Sequence, residues 1–129
     1  MKFSRLFSTV LVLILFTACS KNDDSGSTSN PPPGSWKVNF YWDEKDETTD
    51  FTGYSFVFNA GGTITVTKNG TTYPGSWSET SNKFILNFGA DPVLSELNDD
   101  WQKTEKTSTS IKLKDDNPAQ DDQLHFIKL

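Results

Sequence analysis

Apolar side chains recur at every second position of this chain, in runs too short for anything but strands. Trp36, Val38, Phe40 and Trp42 share one parity, and Tyr54, Phe56 and Phe58 form another such run. Successive strand side chains point to opposite faces, so each run predicts a strand with one apolar face. Turn residues separate the runs. Asn59-Ala-Gly-Gly62 supplies glycines that accept left-handed backbone, and Asn69-Gly70 is the strongest hairpin signal present. Thr63 to Thr67 reads as a third strand with Ile64 and Val66 inward. Thr71 to Glu79 is its return, with Tyr73 and Trp77 on one face and Pro74 marking an edge or a bulge. Phe84 to Phe88 is the fifth strand.

The period then changes. Asp91 can cap a helix and Pro92 suits its first position, with Val93, Leu94 and Leu97 facing the core. One short helix of about two turns is expected there. Trp101 to Lys106 reads as a polar sixth strand and Thr109 to Lys114 as the seventh. A polar loop runs from Asp115 to Asp122, and Leu124 to Leu129 is the last strand. Eight short strands joined mostly by tight connections predict an all-β fold. An antiparallel up-and-down meander closed as a barrel is the first expectation, and a β-sandwich the second. Every aromatic residue except Phe3, Phe7 and Phe16 lies in this 35–129 domain.

Charge narrows the functions. Removing Lys2 and Arg5 from the 12 basic residues leaves 10 against 17 acids beyond residue 18, a net of −7 with no arginine. Nucleic-acid backbones need a basic face, so no nucleic-acid partner is expected. One Cys and one His do not make a zinc site or a nucleophile–base pair. The chain reads as a non-enzyme without a cofactor.

The first residues carry a different message. Lys2 and Arg5 precede the apolar run Val10 to Phe16. Such a run spans about 12 Å as helix against about 30 Å of hydrocarbon, so it reads as a signal peptide, not a membrane span. Phe16-Thr-Ala18-Cys19 resembles a bacterial lipobox, with Phe16 where Leu is commoner. The resemblance implies that residues 1–18 are removed between Ala18 and Cys19 and that Cys19 carries the lipid. Each buried methylene contributes about 0.8 kcal/mol, so several acyl chains anchor firmly. Residues 19–34, with three prolines and no other apolar side chain after Cys19, read as a disordered tether. Ser20-Lys-Asn-Asp-Asp24 resembles a surface-export signal and equally suits a solvated linker. The expected address is the outer membrane, facing the periplasm or the cell surface.

The order of motifs resembles the short lipocalin-like lipoproteins of Bacteroidota. Gly34-Ser-Trp36 opens the first strand, and Asp46-Glu-Thr-Thr-Asp50-Phe-x-Gly53-Tyr-x-Phe56-x-Phe58-Asn59 follows. Asp99-Asp-Trp101, Ile111-Lys-Leu113-Lys-Asp115 and Leu124-x-Phe126-x-Lys128 complete the likeness. The resemblance implies an eight-stranded barrel on a lipid anchor and little about function. Larger lipocalins place a Trp under a basic side chain at the barrel floor. Trp36 matches that Trp, the arginine is missing, and Lys128 is the available cation for it.

Two functions stay open. In the first, the barrel interior binds a small apolar or amphipathic ligand through Trp36, Phe40, Trp42, Tyr54, Phe56, Trp77 and Phe84. In the second, the core is filled and the chain works through acidic loops or an exposed face on another envelope protein. Weaker features remain. Asp43, Asp46 and Asp50 are candidate calcium ligands, though no regular calcium-loop spacing is present. Trp42, Trp77 and Trp101 could form a sugar-stacking platform, and His125 reads as a surface residue.

Overall fold

A computed structural model describes residues 31–129. The expected signal peptide, the expected Ala18–Cys19 cleavage site and most of the expected tether lie outside the described residues. Eight strands follow in order: β1 (Ser35–Trp42), β2 (Ser55–Phe58), β3 (Thr63–Lys68), β4 (Thr71–Glu79), β5 (Lys83–Asn87), β6 (Asp99–Lys106), β7 (Ser110–Lys114) and β8 (Gln123–Lys128). Each pairs antiparallel with the next, and β1 pairs with β8, so the sheet closes as an up-and-down barrel. The meander barrel is the observed fold, and the sandwich is not formed.

Local chemistry explains the turns. Asn69 and Gly70 both have positive φ, 51° and 77°, and link the paired residues Lys68 and Thr71. Two left-handed residues in a row make the tight hairpin whose twist matches its strands. At the β2–β3 turn, the Asn59 amide donates to the hydroxyls of Thr63 and Thr65.

The expected helix is a single 3-10 turn, Leu94–Leu97. Asp91 caps it as expected, accepting from the backbone N–H groups of Val93 and Leu94 at 3.0 and 2.8 Å. Asn98 stops it. Its side chain accepts from the Phe88 N–H and donates to the Gly89 carbonyl, which holds Asn98 extended after one turn. A second 3-10 turn, Thr48–Phe51, sits in the acidic stretch between β1 and β2, where the sequence pattern announces no element. It delivers Phe51 to the core, edge-on to Tyr41 at 5.1 Å.

The first strand departs from strict alternation. Its register with β8 shifts between Val38 and Phe40, leaving Asn39 as an extra residue. A bulge of this kind flips the facing of everything after it. Trp36 and Val38 point inward as the pattern predicts. Beyond the bulge Tyr41 is buried, while Phe40 and Trp42 are half-buried outside. Phe40 lies against His125, whose neighbours Leu124 and Phe126 fill the interior. Assigning Phe40 and Trp42 to the barrel interior is therefore corrected: one inserted residue moves both to the outer wall.

Pro74 lies within β4, opposite Thr65. The β5 ladder begins only at Ser76, so this part of β4 has β3 alone as its described partner, a local edge inside a closed sheet. Next to it, Gly75 lets the Phe88 ring cross the strand. A Cβ there would lie 2.5 Å from Phe88 Cδ1. Phe88 is itself buried, so it cannot swing aside freely. Gly75→Ala is expected to cost about 1–3 kcal/mol in urea unfolding, as overpacking does. Combining it with Phe88→Leu should recover part of that loss; purely additive losses would show that the crossing is not the cause.

Candidate functional site

Five of the seven aromatic residues expected to line the interior do so. Trp36, Phe56 and Phe84 have no exposed surface, and Tyr54 and Trp77 are buried. Among the described residues they belong to one packed core cluster. Phe58, unassigned to any site, sits at their centre, with ring centroids 5.5 Å from Phe84, 5.6 Å from Phe126 and 5.9 Å from Trp77. Trp77 stacks on Phe84 at 5.5 Å, and Phe56 meets Phe126 edge-on at 5.2 Å. Edge-to-face pairs at such distances are the favoured aromatic packing and add about 0.5–1.5 kcal/mol each beyond burial.

The polar handles of these rings are also taken. The indole N–H of Trp36 donates to the Pro33 carbonyl, that of Trp77 to Asn59, and that of Trp101 to Leu97. Trp77 and Trp101 are thus interior, so the three-tryptophan sugar platform is not formed. Lys128 stands opposite Trp36 in the β1–β8 register, yet its stem passes Gly34, where a Cβ would meet Lys128 Cε at 2.9 Å. The cation over a ring among the described residues is Lys68, whose Nζ lies 4.5 Å from the Tyr54 centroid.

The interior also holds a charge that the sequence reading passed over. Glu79 continues the inward face of Tyr73 and Trp77 and is almost wholly buried. Lys103 Nζ and Lys106 Nζ each lie 2.7 Å from its carboxylate, and Lys103 also donates to the Thr80 carbonyl. Both lysines belong to β6 and reach inward across its own bulge between Lys103 and Glu105. A buried carboxylate in such company is structural, and its two cations satisfy it.

Acids gather at one end of the barrel. Consecutive strands are antiparallel, so the long β1–β2, β5–β6 and β7–β8 connections all emerge opposite the end where residue 34 leads in. Of the 17 acids, all but Asp23, Asp24, Glu79 and Glu105 lie on or beside those connections. Of the three calcium candidates, Asp50 clusters with Glu47 and Glu96, their oxygens within 4.8 Å of one another. Asp43 is outside this cluster. Asp46 accepts from the Thr48 N–H at 2.9 Å, and hydrogen bonding to Thr48, from its hydroxyl first and then its N–H, holds the Asp46 pKa below the usual range. Burial, then the charges of Glu47 and Asp50, push Glu96 upward. With one oxygen from each, these three carboxylates give half of the six ligands that calcium takes at the least.

A groove of about 630 Å³ lies outside the wall, under the β7–β8 loop. Gln102, Thr104, Lys114 and Gln123 border it from β6, β7 and β8, and Gln120 and Asp121 from the loop. The loop is held by Lys83, whose ammonium contacts Asp116 and lies 3.6 Å from Asp100. Trp42 is the cross-strand partner of Gln123 and so stands next to the groove, with Phe40, the partner of His125, one step further from it. His125 is half-buried, and burial followed by the nearby Lys112 lowers its pKa, leaving the ring neutral at pH 7.

The molecule thus belongs, by architecture, to small eight-stranded up-and-down barrels with an aromatic, side-chain-filled interior. No family model matches the chain, and neither a curated protein nor a solved structure is similar to it.

One titration is readable. Asp99 opens β6 with its pKa pushed up to about 6, mainly by burial. Asp100 beside it is held low by its hydrogen bond to Asp99 and by Lys83. Between about pH 4 and pH 6 the folded chain binds the Asp99 proton more tightly than the unfolded chain does, so stability falls as pH rises through this window. Asp99→Asn should raise stability at pH 7.5 by about 1 kcal/mol, discounted because the side chain is half exposed to screening solvent. At pH 4 it should change little. Melting curves at the two pH values check this, and an equal shift at both would refute the assignment.

Proposed function

We propose that this chain is a lipid-anchored envelope protein whose barrel is a solid interaction module. Its lipocalin-like class and its outer-membrane address rest on the sequence resemblances: a signal ending at Ala18, an acylated Cys19 and a tether up to residue 34. The observation that carries the module reading is the packed interior, where rings meet rings and the indole donors are already bound to backbone carbonyls. An eight-stranded barrel is just wide enough for side chains to fill it or for one small ligand to enter. Here the side chains take that room. The partner side is then the outside of the barrel, and the acid-rich end favours a basic envelope protein. Anionic lipid headgroups repel that end, which orients it away from the membrane.

The test is a native mass spectrum of the full chain purified from its host envelope in detergent. The covalently lipidated mass alone is expected. A discrete adduct that leaves on denaturation and persists in the Trp42→Ala variant would restore the ligand-carrying barrel and remove the module reading. The anchor is checked separately: Cys19→Ser should abolish the acyl mass and release the chain from the membrane fraction. An unchanged membrane fraction would show that Cys19 is not the anchor.

A further inference from the structure

The outer face shared by β1, β8, β7 and β6 combines two features on one continuous surface. Phe40 and Trp42 stand side by side on β1, with ring centroids 6.5 Å apart and planes only 18° from parallel. The His125 ring adjoins Phe40 at 5.1 Å. Across the ladder, Gln123 stands opposite Trp42 and lines the groove under the β7–β8 loop, so the aromatic strip runs directly into that groove. The groove wall offers carboxamides from Gln102, Gln120 and Gln123, a hydroxyl from Thr104 and the carboxylate of Asp121.

We propose that this surface binds a neutral or N-acetylated oligosaccharide. Aromatic rings on a sheet face favour burial of the flat C–H faces of pyranose rings without demanding a sequence of charges. Planar amides and a carboxylate can each engage neighbouring hydroxyls in pairs, as bidentate groups do elsewhere. The neutral His125 keeps the strip uncharged. The groove sets amide, hydroxyl and carboxylate groups and the Lys114 ammonium around apolar surface from Leu113 and Pro118, the mixture a sugar's hydroxyl edges and C–H faces require. A volume of about 630 Å³ lies within the ordinary range of small-molecule sites. Asp115, Asp116, Asp121 and Asp122 line the groove against the single cation of Lys114, and this excess of negative charge turns away acidic sugars. The barrel then holds a glycan on its flank and leaves its acidic end free.

Trp42 makes the proposal directly readable. Trp36, Trp77 and Trp101 are buried, so a ligand on this face should change the emission of Trp42 alone. The full chain in detergent is titrated with chitotetraose, with cellotetraose and with tetragalacturonate. Saturable binding of at least one neutral tetramer is expected, and none of the acidic one. Trp42→Ala and Phe40→Ala should each weaken binding about fivefold to tenfold, the effect of losing one stacking partner. Gln120→Ala, a loop change remote from the ladder, should weaken it too, and keeps the test open if a β1 variant unfolds. No saturation by either neutral tetramer up to about 10 mM, or affinity unchanged in all three variants, overturns the proposal. So does tighter binding of the acidic tetramer, or a Trp42→Ala effect seen only as loss of self-association.

Discussion

Closure through the β1–β8 ladder is the constraint on which the rest depends. β1 pairs with β2 at only two positions, Ser35 with Val57 and Trp36 with Phe56, and with β8 at six. Beyond Trp36 it leaves β2, and the 3-10 turn of Thr48–Phe51 occupies the space between them. Tyr41 ties that turn down: its N–H donates to the Thr48 hydroxyl and its own hydroxyl to the Glu96 carbonyl. Burial raises the Tyr41 pKa, so that hydroxyl stays a donor across the physiological range. The long β1–β2 and β5–β6 connections thus meet through one side chain, and the barrel end they form is fastened from inside.

A closed ring of eight strands encloses a narrow space, and this sequence spends its aromatic residues filling it. Phe58 of β2 meets three other rings, one each from β4, β5 and β8. Packing of that density makes the interior a source of rigidity and leaves recognition to the outside. The same logic disposes of Glu79. Its carboxylate pins β4 to β6 through two lysines at the end where the chain comes in, while the free acids collect at the other end. Charge is thereby used for architecture at one pole and for display at the other.

Strand number, order and closure were legible because alternation and turn chemistry agree. Asn69-Gly70 and the Ile64/Val66 face both predict the observed β3–β4 hairpin. Phe51 was hidden because it follows five acids in eight positions, and local composition outweighed a single ring. Two hydrogen bonds hold that polar stretch on β1: the Tyr41 N–H donates to the Thr48 hydroxyl, and the Glu47 N–H to the Tyr41 carbonyl. Glu79 was legible in principle, since it shares parity with Tyr73 and Trp77, but a carboxylate at an inward position has no meaning until its lysines are placed. The short helix was overread because nothing local announces that Asn98 is held by Phe88 and Gly89.

The deepest misreading was Phe40 and Trp42, and its cause is instructive. Period-two patterning fits Trp36 to Trp42 without interruption, because Tyr41 is as acceptable inside as Phe40 or Trp42 would be. Only the partner strand decides. β8 offers Leu124 and Phe126 inward and His125 outward, so a residue must be skipped for Tyr41 to meet Leu124. Asn39 is that residue. The insertion does two things at once: it gives the interior the one ring whose hydroxyl reaches Glu96, and it gives the exterior two parallel rings beside a polar groove. A regular strand would have buried Phe40 and Trp42 and left the outer wall without an aromatic surface. The bulge is therefore the point where the demands of packing and of recognition on this chain meet.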